Sequence, residues 1–163
     1  MRGKLLIGAV LLLLTSVALA GDAPWFDMKN CGFCKHLMDD PELLHHCTWE
    51  NHKIDNGALI VTTVEDEFLP SFEKAMAAME ETGKKMEAGE MVPMCGMCQA
   101  MGAMFMKGAK YQSINTQHGN VALFTSDNPE LITEIHAYVD RTNDEMAKME
   151  AAEEMHDADH EGD

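Results

Sequence analysis

Two short motifs hold most of the reactive sulfur in this 163-residue chain: Cys31-Gly32-Phe33-Cys34, and Cys95-Gly96-Met97-Cys98 lying 64 residues later. A disulfide inside either motif would close a very small loop. Such a loop removes little entropy from the unfolded chain, so a CxxC pair suits chemistry better than stapling. At a helix start, unpaired backbone N–H groups and the positive end of the helix dipole favour the thiolate. Thiolates can hold a soft ion or exchange disulfides, and position alone does not choose between the two. Brought together, Cys31, Cys34, Cys95 and Cys98 would offer a tetrahedral set for Zn²⁺ or a thiolate-rich set for Cu(I). The long interval between the pairs exceeds that of a zinc ribbon, so the fold must bring them together. Each pair could also hold a soft ion by itself.

Other soft or basic side chains crowd the same regions. Met91, Met94, Met97, Met101, Met104 and Met106 surround the second motif. Thioethers can bind Cu(I), yet Met94, Met97, Met101 and Met104 are spaced as a core-facing helical stripe. Core packing is therefore the expected role. His45 and His46 adjoin Cys47, and they are expected to favour a helix C-terminus rather than to ligate. Cys47 is a buried small apolar group, a third ligand or a resolving thiol. His156 and His160 lie among carboxylates, where a solvated tail is the expectation. No nucleophile elbow, zincin helix, phosphate loop or dinucleotide fingerprint occurs, and no acid–base pair can be placed, so a binding role is favoured over an enzyme.

The charge balance narrows the partners. With 12 basic residues against 28 acidic the net charge is −16, which excludes a grip on nucleic-acid phosphates and disfavours anionic membrane surfaces. Arg2 and Lys4 precede an apolar run over Leu5–Leu14, and Ala18-Leu19-Ala20 forms a small-x-small cleavage site. Residues 1–20 are thus expected to be a signal peptide, with no transmembrane segment after its removal. Export, to a periplasm or outside the cell, would put all five cysteines in an oxidising compartment where thiols tend toward disulfides.

The elements that must position the cysteines come in two similar blocks. Trp49–Gly57 runs parallel to Tyr111–Gly119, and an apolar strand follows each glycine. This self-similarity predicts an internal duplication over 21–149, with half-repeats about 25–89 and 90–149. Each half reads helix–strand–strand–helix. The predicted elements are a helix from Cys31 to about His46 capped by Asn30, strands over 47–54 and 58–64 around an Asn56-Gly57 turn, and a helix through Phe68, Phe72 and Met79. The second half is expected to repeat the order, with a helix over 95–107, strands near 110–116 and 120–125, and a helix starting at Asn128-Pro129. The fold class is α+β, an antiparallel sheet covered by helices. Short strands over Trp25–Met28 and Met91–Met94 would make each unit ferredoxin-like. Residues 150–163 are acidic and expected to be a disordered tail.

A CxxC opening the first helix of such a unit resembles the heavy-metal-associated domains of copper chaperones and metal-pumping ATPases. In that family the two cysteines hold Cu(I) or a similar ion, and the resemblance maps this role onto Cys31/Cys34 and Cys95/Cys98. Met94 abuts Cys95, where the family's methionine stands two residues before its first cysteine. Cys-Gly-Phe-Cys-Lys is also similar to the active-site stretch of thioredoxin-like oxidoreductases, but too few residues precede Cys31 to build that core. The expected function is an exported protein holding zinc or copper through both pairs. The alternatives are a thiol–disulfide exchange protein, and a non-catalytic ligand or interaction domain with structural disulfides.

Overall fold

The computed structural model describes residues 23–160. The export signal expected over residues 1–20 lies outside them. Four strands form one antiparallel sheet in the order β1-β2-β4-β3: β1 Cys47–Ile54, β2 Gly57–Val64, β3 Lys110–Thr116 and β4 Gly119–Thr125. Each hairpin is continuous in sequence, and β2 and β4 pair in the centre with Val61 opposite Val121 and Leu59 opposite Leu123.

The two hairpins meet through reciprocal contacts. Ser126 N donates to Asn56 O at 2.9 Å, and Val64 N donates to His118 O at 2.9 Å. The turn of each hairpin therefore binds the end of the other. Gly57 (φ +153°) lies against the Phe124 carbonyl and Gly119 (φ +130°) against the Thr62 carbonyl. A Cβ at either glycine would collide with opposing backbone, so close approach requires the absence of a side chain.

Among the described residues three α-helices accompany the sheet: α1 Leu69–Glu87, α2 Gly96–Met106 and α3 Pro129–His160. Asn128 Oδ1 accepts from Glu130 N at 2.9 Å, capping α3, and Pro129 supplies a preset φ in its first turn. Helix α3 lies across the sheet with Leu131, Ile135 and Val139 buried against Ala58 and Phe124. Lys53 Nζ reaches Asp140 Oδ1 at 2.7 Å, and His136 Nε2 contacts Ile54 O at 2.9 Å, which fixes the crossing. A second apolar cluster gathers Leu43, Val64, Phe72 and Ala75 under α1.

Three expectations need correction. The single helix over 31–46 is two short 3-10 segments, Cys34–Met38 and Leu43–His46. Pro41 cannot donate to a helix ladder, and Asp40 Oδ1 instead accepts from Glu42 N at 3.2 Å. Asn30 does not cap with its side chain. Asp27 holds that turn, its Oδ1 accepting from Asn30 N at 2.9 Å and from Lys29 N at 3.3 Å. Residues 25–28 and 91–94 form no strand, so the described sheet stops at four strands with contiguous hairpins and lacks the interleaved ferredoxin-like order.

Candidate metal centre

The stretch holding Cys31 and Cys34 is irregular. It is shaped by the Asp27 turn, with Cys31 N donating to Asp27 O at 3.1 Å, and by the 3-10 segment that Cys34 opens. Cys95 and Cys98 stand on regular structure. Cys95 is the N-cap of α2 in an extended conformation (φ −70°, ψ 169°), and Cys98 lies in the first turn.

The middle glycines bring these two stretches together. Gly32 N donates to Pro93 O at 2.8 Å, just before the second cysteine pair. Reciprocally, Gly96 N donates to Pro24 O at 2.9 Å and Met97 N to Trp25 O at 3.0 Å, just before the first pair. A Cβ on Gly32 would run into Val92 Cγ1, and one on Gly96 would lie 3.1 Å from Ala23 O. Each motif's glycine is thus clamped by the chain leading into the other motif.

All four sulfurs consequently meet. The Sγ atoms of Cys31, Cys34, Cys95 and Cys98 lie within 4.8 Å of one another. Contacts between the motifs measure 3.6 Å for Cys31–Cys98, 3.7 Å for Cys34–Cys95 and 3.8 Å for Cys34–Cys98. A tetrahedron of sulfurs around zinc, with bonds of about 2.3 Å, has edges of about 3.8 Å. No disulfide links any of the five cysteines. Cys31, Cys34 and Cys95 are at most 3% exposed, and Cys98 is half-buried.

The protonation pattern shows what four sulfurs cost one another. The Cys34 thiol is lowered to about 6, chiefly by a hydrogen bond with the Cys98 thiol and against the opposing effect of burial. Cys98 is raised by that same bond and then by burial. Burial, with the Cys34 charge adding to it, pushes Cys95 up to about 11. One thiolate is therefore tolerated, while Cys95 and Cys98 resist ionisation. Holding all four as thiolates calls for a cation among them.

Other sulfur and imidazole groups among the described residues have partners of their own. Cys47 packs with the Leu43–Val64–Phe72 cluster, and burial raises it to about 11. His46 stacks on Phe68 at 3.9 Å with its Nδ1 3.1 Å from Glu65 Oε2, and His36 Nε2 meets Thr82 Oγ1 at 3.1 Å. Met104 is buried in the main core, Met97 packs against both that core and the cysteines, and Met91 and Met106 are almost fully exposed. The methionine stripe is mainly packing.

The sequence reading named the four cysteines but missed the clamps. Pro24 and Pro93 each precede a CxxC, and both motifs carry glycine in second place; together these were the available signal for close backbone approach. Comparison with protein-family models, curated proteins and solved structures finds no match.

Proposed function

We propose that this chain is an exported zinc-binding protein whose four thiolates, Cys31, Cys34, Cys95 and Cys98, enclose one structural ion. The observation that carries the proposal is the set of 3.6–3.8 Å sulfur separations between motifs that the chain holds 64 residues apart. A mononuclear zinc fits that edge length. An iron–sulfur cluster, with several irons inside the ligand shell, would need its cysteines spread wider. Cu(I) also accepts thiolates but is commonly satisfied by two or three, whereas zinc makes use of four at tetrahedral spacing. All four positions belong to the protein, which leaves none open for substrate and favours binding over metal catalysis. The reciprocal hairpin and glycine contacts support descent from a duplicated unit as part of this proposal. The shared ligand pair supports a link to heavy-metal-associated domains, although the strand order does not.

Anaerobic purification followed by elemental mass spectrometry tests the proposal. One zinc per chain, lost on Cys31→Ser and on Cys95→Ser, is expected. Four free thiols at these positions without any bound metal would refute it. Thiol–disulfide exchange is the second reading, favoured by the depressed Cys34 thiol. It ranks lower because Cys34 is 3% exposed, leaving only half-buried Cys98 for a protein partner to approach. Equilibration of a Cys31–Cys98 or Cys34–Cys95 disulfide with glutathione near the compartment's poise would promote it.

A further inference from the structure

The sheet has a second face on which no helix packs among the described residues. Helix α3 covers the side carrying Ala58, Ala122 and Phe124. Strand alternation turns Leu59 and Val61 of β2 and Val121 and Leu123 of β4 to the other side, where all four are half-buried. Ile114 on β3 joins them, 52% exposed. None of these five belongs to a buried cluster among the described residues. A solvated sheet face normally alternates to polar residues, so apolar side chains at its centre mark a surface that receives a partner.

The registers define its layout. Glu50, Val61, Val121 and Ile114 form one row across the sheet, and His52, Leu59, Leu123 and Gln112 form the next. Thr48, Thr63 and Thr116 border one side; Ile54, Thr125 and Lys110 border the other. Apart from Ile54, the apolar block is thus rimmed by polar groups, as the centre of an interface should be. Glu50 and Lys110 leave the face near neutral on a chain of net charge −16. Like-charged copies could meet here with little repulsion.

We propose that this face pairs with the same face of a second copy, forming a two-fold sandwich of sheets. An axis lying across the strands, between the two central rows, brings each row over the other. Val61 then meets the partner's Leu59, Val121 meets the partner's Leu123, and Glu50 stands opposite the partner's His52. Within one chain His52 Nε2 already pairs with Glu50 Oε2 at 3.0 Å, so the dimer closes a four-membered ring of alternating groups at one edge. An axis along the strands would instead set Glu50 over the partner's Ile114, which disfavours it. From strand spacing and rise, the face covers about 450 Å² per copy, or about 900 Å² for the pair. That is below the standard interface of about 1,600 Å², so the dimer is reversible.

Sedimentation velocity of the purified protein, diluted from about 1 mM to about 1 µM, should show dimer giving way to monomer. Val121→Glu, which buries a charge in the block, should weaken association at least ~100-fold with circular dichroism and zinc content unchanged. Glu50→Lys should weaken it less, and exchanging the pair as Glu50→Lys with His52→Glu should restore it. The exchange variant keeps the test valid if Val121→Glu fails to fold. A monomer at every concentration overturns the proposal, and so does a dimer that ignores both Val121→Glu and Glu50→Lys. Association lost only when zinc is removed would also overturn it, assigning the contact to the cysteine region.

Discussion

The two cysteine pairs reach the same point from unlike scaffolds. Cys95 and Cys98 start an eleven-residue α-helix anchored through Met104 in the main core. Cys31 and Cys34 belong to a turn and a five-residue 3-10 segment, and that segment buries only Cys34. Short 3-10 segments have poor hydrogen-bond geometry and little cooperative stability. The second pair should thus hold its place without an ion, while the first should depend more on the proposed site. Zinc at the proposed site would tie the irregular stretch over residues 27–46 to α2.

The largest expected effect breaks that tie. Removing zinc with a chelator, or replacing Cys95 by Ser, should raise hydrogen exchange sharply over residues 27–46 and far less in α3 and β4. The global loss should be several kcal/mol, since binding energy at a structural zinc is folding energy. Uniform loosening would mean that the pairs are equally dependent. Next, Gly32→Ala should cost about 2–3 kcal/mol in denaturant unfolding because its Cβ collides with Val92.

Proton linkage comes third. Cys34, at about 6, is already ionised at neutral pH, whereas Cys95, at about 11, must surrender a proton to the solvent on binding. Zinc affinity should therefore tighten by at least ~10-fold per pH unit from pH 6.5 to 8 and weaken on acidification. A pH-independent competition titration would contradict this. Gly96→Ala should cost about 1 kcal/mol, less than Gly32→Ala, because its nearest contact is 3.1 Å and Ala suits a helix start better than Gly. Smallest of all, Cys47→Ala should leave zinc stoichiometry unchanged and shift the thermal midpoint by a few degrees at most, its sulfur lying in the α1 cluster.

What could be read from the sequence follows the same division. Approximate alternation and an Asn-Gly turn foretold β1 at 47–54, and the strands near 110–116 and 120–125 lie within a residue of β3 and β4. The stripe from Leu131 through Val139 likewise marked the buried face of α3. The stretch over 31–46 misled because Phe33, Leu37 and Leu44 carry helical spacing, while Pro41 and the clamp on Gly32 hold the backbone in short turns. Long-range contacts override local preference there. The four thiols were visible as residue types, and the expected duplication offered a way for the two pairs to meet. The hydrogen bonds from Gly32 to Pro93 and from Gly96 to Pro24 were not visible, because they join residues far apart in sequence. Nor was the separation of Cys47, which its neighbourhood of histidines obscured.

Zinc-edge X-ray absorption of the anaerobically purified protein tests the four-thiolate site most directly. Four sulfur neighbours at about 2.3 Å, with no nitrogen or oxygen in the shell, is the expected result. A shell containing histidine or water, or a protein carrying disulfides among Cys31, Cys34, Cys95 and Cys98 in place of zinc, would contradict it.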